Sequence, residues 1–399
     1  MAKPFLIHVS ADFPDKSGQQ KTPVIARLVA AVSRDLDQQI YSLNRVTPPL
    51  ASWPWPKPEV RFRDEREDLC SVLYSAPPRG IHHLRLLRAL GESLAERIGA
   101  GNPPDLIIGH KLTVEGIAVA RAAQLLDVPY ALSIQGNTDA KILSARPDLR
   151  EEFARIFHDA AVVFPFAPWA LARTEAILGQ RSGPTVLLPC LTEHDIVIVP
   201  EPGSELVSAF HLHNYRLKNL PRLASAVSLA RQAEPPLQFT LYGGGDEPTL
   251  AQVRRHCGQA IGLGGHLPGT ELFQRIHAAR GFAMPSLRES FGLVFIEALM
   301  AGTPILYPRG AAVDGWFAGC SFALPVDARD TAAIAAGLLT LYRDEERLKA
   351  DLAAFQAAGG LAPFGLAAVR DAFAGAIRSA LPAARPSHDE IAGLRIDLN

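Results

Sequence analysis

The chain carries no excess charge of either sign. Lysine and arginine together number 40 against 41 aspartates and glutamates, for a net charge of −1. Nucleic-acid binders usually show a basic surplus, so that class of partner is not expected. Cysteine is scarce: Cys70, Cys190, Cys257 and Cys320 lie far apart, with no Cys-x-x-Cys spacing. That argues against a zinc knuckle or a disulfide framework and for reduced thiols in a cytoplasmic protein. Long apolar runs are also missing. No stretch is long enough to span a bilayer, and the opening residues, Met1 to Asp12, lack the layout of a signal peptide. No Gly-x-Gly-x-x-Gly follows the first apolar run, which weighs against a dinucleotide oxidoreductase.

What is present is a globular enzyme profile, 48% hydrophobic and 20% charged. A length of 399 residues exceeds one ordinary core, so two domains are expected. Within residues 1–200, short runs apolar on both faces predict strands at Phe5–Val9, Gln39–Leu43, Leu106–Ile108, Tyr130–Ile134, Ala161–Phe164 and Thr185–Leu188. Helical spacing lies between them at Val24–Ser33, Ile81–Ile98, Glu115–Leu126 and Pro168–Leu178, with Thr22 as N-cap and Pro23 as first helical residue. Thr47–Pro58, rich in proline and carrying Trp53 and Trp55, is a loop.

The turn-rich Pro200–Gly203 opens a second unit, residues 201–362, with strands predicted at Leu206–Phe210, Gln238–Tyr242, Ala260–Leu263, Gly281–Met284 and Pro304–Leu306. A helix over 363–381 and a polar tail, 382–399, complete the chain. The alternation implies an α/β protein: two Rossmann-like, doubly wound parallel-sheet domains facing each other across a cleft. The stretch Met284–Pro308 is the most informative. It reads strand, turn, helix, strand, with Ser290 as N-cap and Gly302 ending the helix. Glu289 and Glu297 bracket the helix start with seven residues between them. Free amides at a helix start attract phosphate, and nearby carboxylates hydrogen-bond hydroxyls; a nucleotide sugar has both groups.

Three further runs accompany this one. They are Leu241–Glu247 with its Gly243-Gly244-Gly245 turn, Leu263–Leu272 containing His266 and Leu267, and Phe210–Asn219. Together with the Glu-x7-Glu pair they resemble the nucleotide-binding half of the GT-B retaining glycosyltransferases known as family 4, over residues 206 to about 345. The resemblance implies that residues 1–200 face the acceptor and 201–362 bind the nucleotide sugar, with the helix in 363–381 returning to the first domain. It further implies that Glu289 contacts donor-sugar hydroxyls, that Glu297 contacts the ribose, and that backbone N–H groups at Phe291, Gly292 and Leu293 hold the diphosphate. Gly243 and Gly244 would form the turn beside the donor, and His266 and Leu267 the base-contacting loop. The family's lysine clamp on the leaving diphosphate falls on Lys218. Its arginine position, five residues earlier, holds His213, a departure, with Arg216 close by; neither side chain is equivalent to a guanidinium placed there.

In the first half the likeness is one of layout. A loop usually carrying paired glycines has only Gly18, followed by Lys21 on the acceptor side, where a plain capped helix competes as a reading. His110 and Gln135 sit at the carboxyl ends of predicted strands, where clefts of this kind bind ligands. Gln135 stands where the family commonly has histidine and cannot carry a proton. The expected activity is transfer of a sugar from a UDP- or GDP-sugar to a saccharide, lipid-linked or other hydroxyl acceptor, with no cofactor and no metal. A non-catalytic scaffold of the same fold and a nucleotide-sugar epimerase stay open as alternatives. The basic amphipathic pattern Arg79–Arg97 is compatible with peripheral contact at the inner membrane face, and equally with a surface helix packed on its own sheet.

Overall fold

The computed structural model describes residues 3–19 and 21–381; the tail 382–399 lies outside the described residues, as does the side chain of Arg79. The first domain contains β1 (Phe5–Ser10), α1 (Val24–Ala31), β2 (Asp37–Val46), β3 (Val60–Arg66), β4 (Leu69–Ser75), α2 (His83–Gly99) and β5 (Leu106–Gly109). It continues through α3 (Glu115–Leu126), β6 (Tyr130–Ile134), α4 (Asn137–Ala145), α5 (Arg150–Asp159), β7 (Val162–Pro165) and α6 (Pro168–Leu178). The strands form one sheet in the order β3-β4-β2-β1-β5-β6-β7. All pairs are parallel except β3–β4, an antiparallel edge.

The second domain contains β8 (Leu206–Ala209), α7 (Leu220–Ala233), β9 (Phe239–Tyr242), α8 (Glu247–Cys257), β10 (Gly262–Gly265), α9 (Gly269–His277) and β11 (Gly281–Ala283). After these come α10 (Leu293–Met300), β12 (Ile305–Pro308), β13 (Ala323–Val326), α11 (Thr331–Arg343) and α12 (Glu345–Ala357). Its sheet runs β10-β9-β8-β11-β12-β13, wholly parallel. Counted from β8 this is the order 3-2-1-4-5-6, in which the strand order reverses between β8 and β11 and leaves a crevice at their carboxyl ends. The last helix, α13 (Leu366–Ala380), packs back on the first sheet. Its Val369, Phe373 and Ile377 share a buried cluster with Leu6, Leu28, Ile108 and Phe164. Both domains therefore hold the chain's two ends of the second unit in place.

Several details differ from the sequence expectations. The β3–β4 hairpin is absent from the sequence expectations: Val60–Arg66 alternates charge with apolar residues on an exposed edge and reads as loop, whereas Leu69–Ser75 is apolar and mostly buried and its strand pattern went unread. Helices α4 and α5 were missed for a similar reason: short, charged segments carry little apolar signal. Thr185–Leu188 makes only an isolated bridge, at Val163–Thr185, rather than a strand. Pro23 occupies the cap position of α1 and Thr22 makes no capping bond. Ser290 likewise does not cap α10; that place belongs to Gly292. The leucines of the basic α2, Leu86, Leu87, Leu90 and Leu94, are buried, and the helix packs chiefly on α3. Among the described residues no helix is long and apolar enough to cross a membrane.

The packing of α13 can be weighed against its ion pairs. Phe373 is fully buried, with its ring centroid 4.9 Å from that of Phe164. Phe373→Ala is expected to lower the free energy of unfolding in urea by about 3–5 kcal/mol. Arg378→Ala, which removes a half-exposed pair with Asp35, is expected to cost less than about 1 kcal/mol. Equal costs would show that charge, not burial, attaches this helix.

Candidate functional site

The carboxyl ends of the two sheets face each other across a cleft of about 490 Å³. Asp12, Thr22, Lys111, Gln135 and Thr138 line it from the first domain; His211, Asn214, Lys218 and the segment Glu289–Val294 line it from the second. The seam beside it is tied by side chains. Asn137 Nδ2 donates to Ser290 Oγ at 3.3 Å. Trp169 Nε1 donates to Ala312 O at 2.8 Å, and Trp316 Nε1 donates the other way, to Phe166 O at 3.0 Å.

On the second-domain wall, α10 begins in the cleft. Gly292 caps it with φ +75°, and a Cβ there would lie 2.6 Å from the Phe295 ring, so only glycine fits both the backbone and the space. The first N–H groups of a helix have no partner within it; in α10 Phe295 N turns back to Gly292 O at 2.9 Å, which leaves those of Leu293 and Val294 for an anion. Facing them, Lys218 Nζ donates to Glu289 Oε2, and both side chains are less than one-fifth exposed. Backbone geometry enforces that meeting. Leu287 N donates to Leu217 O at 2.8 Å, and Asn219, held at φ +62°, donates through Nδ2 to Pro285 O at 3.0 Å and Ala328 O at 2.6 Å. The loop before α7 is thus laced to the loop before α10.

The other second-domain residues singled out from sequence are more scattered. Gly243 N donates to Gly265 O at 2.8 Å, and a Cβ on Gly243 would lie 2.0 Å from Phe210 O, so this turn packs directly on the end of β8. Gly244 abuts His266, which is exposed, and Leu267 is half-buried at the core edge. His213 stands near Asp246, Nε2 to Oδ2 3.4 Å, with its ring against His211. Arg216 lies over the Tyr215 ring and donates to its hydroxyl at 3.0 Å. Glu297 lies just over one turn along α10, near Glu193 and His194 of the interdomain crossover. Burial raises its pKa, opposed by a backbone hydrogen bond from Glu193 and by His194 and Arg27.

In the first domain, Gln135 reaches the cleft and His110 does not. His110 is fully buried. Gln38 Oε1 accepts from His8 Nε2 at 2.9 Å, which leaves His8 Nδ1 to accept from His110 Nε2 at 2.9 Å; Ser133 Oγ is 3.3 Å from His110 Nδ1. Burial, then the neighbouring His8 and Lys111, push the His110 pKa well below the usual histidine value, so both rings are neutral. Lys21 is also internal: its Nζ donates to Asp15 Oδ2 at 2.9 Å, Ser42 Oγ at 2.7 Å and Leu43 O at 3.2 Å. Gly18, at φ +79°, is exposed with open space around it. Asp35-Leu36-Asp37 has the Asp-x-Asp spelling found in metal-dependent sugar transferases, yet Asp35 is engaged by Arg378 and Arg370 of α13.

The cleft floor instead presents a pair that sequence reasoning passed over, Lys111 and Asp12, joined at 2.6 Å. Burial alone would lower the Lys111 pKa, but Glu115, Asp12 and Asp139 outweigh it and hold the ammonium charged. Beneath it Glu115 is fully buried. One oxygen accepts from Ala11 N at 2.8 Å and the other has no partner. Asp139 is similar, accepting from Thr113 N at 2.9 Å and Thr113 Oγ1 at 2.8 Å through one oxygen only.

Burial pushes the Glu115 carboxyl up from 4.5 to about 7, against the lowering pull of Lys111. Between those pH values the folded protein holds a proton that the unfolded chain has released. The stabilisation from protonated Glu115 is therefore full below pH 4.5 and is lost as pH rises through about 7. Glu115→Gln keeps an acceptor for Ala11 N–H without the charge. The melting temperature of the variant minus that of the wild type is expected to increase from pH 4.5 to 7 and then level off. A difference independent of pH would mean that Glu115 stays ionised.

With this geometry in view, comparisons locate the protein among known ones. Residues 205–344 match the family model described as glycosyl transferases group 1. A glycogen synthase of Mycobacterium tuberculosis is 35% identical over 132 residues, 31% of this chain and 29% of that one; the match spans less than a third of the relative. Among solved structures, sucrose-phosphate synthase from Thermosynechococcus elongatus superposes with a TM-score of 0.67 at 19% identity, covering 94% of this chain and 99% of the other. A UDP-forming α,α-trehalose-phosphate synthase from Burkholderia xenovorans, in complex with glucose-6-phosphate, gives 0.63 at 13% identity, covering 93% and 99%. The chain thus has the GT-B fold, and residues 205–344 within its second domain are similar to the glycosyl transferases group 1 family.

Proposed function

We propose that the protein is a retaining glycosyltransferase that moves a sugar from a nucleotide-diphosphate sugar to a hydroxyl acceptor. The observation that carries this reading is the Lys218–Glu289 pair facing the open start of α10 in the interdomain cleft. A diphosphate brought to that place meets an ammonium group and free helix amides, and the attached sugar meets a carboxylate. As the glycosidic bond loosens, negative charge grows on the leaving phosphate, where Lys218 and the amides stabilise it most. The acceptor hydroxyl attacks from the face that the nucleotide leaves, and its proton passes to the leaving phosphate. No metal takes part in this reading, because cationic side chain and amides supply the positive charge.

The first-domain wall has the complementary task of seating the acceptor. Gln135 offers a neutral hydrogen-bonding group, and Lys111 a charge held in place by Asp12. The family match and the UDP-forming structural neighbour support a nucleotide-sugar donor. Two departures favour a non-catalytic scaffold instead: His213 stands where the family has arginine, and Gln135 where it commonly has histidine.

A thermal-shift panel of UDP- and GDP-sugars separates the two readings. At least one is expected to raise the melting temperature of the wild type. Glu289→Gln, which removes the carboxylate but keeps its shape, is expected to retain nucleotide stabilisation and lose most of the increment due to the sugar. Product formation with that donor is expected to fall about 100-fold or more and to be unchanged by EDTA. No stabilisation by any donor would leave the scaffold reading.

A further inference from the structure

A second pocket, about 480 Å³, lies beside the cleft in the first domain. It opens at the carboxyl ends of β2 and β4 and is walled by α2 and α4. Thr138 lines both the pocket and the cleft, and Arg288 at the pocket rim directly precedes Glu289 in the donor wall, so the two spaces adjoin. The volume falls in the range of small-molecule sites.

Its lining has two features at once. The walls are apolar, formed largely by Tyr74, Pro77, Leu86, Leu87, Val114 and Ile142. The rim is cationic: Arg45, Lys141, Arg146 and Arg288 all line it, and among the described residues no carboxylate does. Arg146 is forked onto Asp148, with Nε and Nη2 at 2.8 and 2.7 Å from its two oxygens. Arg45, Lys141 and Arg288 have no ion pair among the described residues. Gathering unpaired cations around one apolar mouth is unfavourable by mutual repulsion unless an anion is present. The chain as a whole is nearly neutral, so the cluster is not a general basic surface. An apolar sugar-binding wall would also be unusual, since a sugar needs hydrogen-bonding partners that these side chains do not offer.

We propose that this pocket binds an amphiphilic anion, an apolar chain or ring system carrying a phosphate-like head, and presents that head to the donor cleft. The apolar body packs against Leu86, Leu87, Val114 and Ile142. The anionic head sits at the rim between Lys141, Arg45 and Arg288, within reach of the Thr138 side where the reaction space begins. A hydroxyl carried beside that head is the acceptor, a role that rests on the glycosyl-transfer reading; the binding role does not. A lipid carrier in a bilayer and a free amphiphile in solution present the same chemistry.

Calorimetry with decyl phosphate below its micelle concentration, inorganic phosphate and decyl maltoside tests the pocket. Decyl phosphate is expected to bind saturably and at least about tenfold more tightly than either control. Inorganic phosphate binding as well as decyl phosphate would overturn the apolar half of the proposal, and decyl maltoside binding as well would overturn the anionic half. Lys141→Ala and Arg45→Ala are each expected to weaken decyl phosphate about tenfold while leaving donor-induced thermal stabilisation unchanged. Ile142→Asn is expected to weaken decyl phosphate and leave inorganic phosphate as it was. Unchanged affinity in all three variants would overturn the site. Vesicles carrying a polyprenyl phosphate, tested by co-flotation, distinguish a membrane source from a soluble one. Decyl phosphate binding without donor stabilisation would keep the pocket and remove the glycosyl-transfer reading; donor stabilisation without decyl phosphate binding would do the reverse.

Discussion

Everything at the cleft depends on the chain crossing between domains twice. It leaves the first sheet after α6 and returns as α13, whose Phe373 is buried against Phe164 and the strands of the first domain. Parallel sheets bring all their strands to an end on one side, and that side is where ligands bind. Two such sheets make a common site only if those ends are turned toward each other. The double crossing, with the indole hydrogen bonds of the seam, provides that constraint, and the loops then need only short excursions to reach one another.

The two walls hold charge in similar ways. Lys218 with Glu289 on one side, and Lys111 with Asp12 on the other, are mostly buried pairs of opposite sign. On the first-domain wall, Glu115, Asp12 and Asp139 keep the Lys111 ammonium charged against the opposing pull of burial. An incoming polar ligand exchanges partners with such groups and does not have to draw them out of bulk water. The cost of removing the charges from solvent is thus met during folding, and the site is preorganised before anything binds. Beneath the Lys111 pair, Glu115 and Asp139 each leave an oxygen without a partner.

The sheet architecture was legible because its strands are short, apolar on both faces and separated by helical spacing. Tyr130–Ile134 and Glu115–Leu126 coincide with the expected bounds. Elements with little apolar content, such as the β3 edge and the charged α5, do not show in the sequence, and neither does β4, although Leu69–Ser75 is apolar and mostly buried. At the site, the residues after strand ends were readable as a group but not by direction. Successive side chains of an extended segment point to opposite sides, so a shift of one residue exchanges cleft for interior. His110 turns inward to His8 while Lys111, its neighbour, turns to the cleft. Lys21 presents a different case: its ammonium is taken up by Asp15, close by in sequence, and by Ser42 and Leu43 on β2, which a linear reading does not bring to it. The Lys218–Glu289 contact bridges 71 positions and rests on backbone bonds between two loops, which no local pattern specifies.

The reciprocal indole bonds of the seam have a spectroscopic consequence. Of the chain's 4 tryptophans, Trp169 gives its N–H to a carbonyl of the second domain and Trp316 gives its own to one of the first. Any rotation of one domain against the other must lengthen or reorient both bonds together. An indole's emission depends on the polarity and hydrogen bonding around its ring nitrogen, so these two side chains make the unlabelled protein a reporter of its own domain angle. The remaining two, Trp53 and Trp55, lie on a first-domain loop away from that seam and supply a built-in background against which such motion can be read.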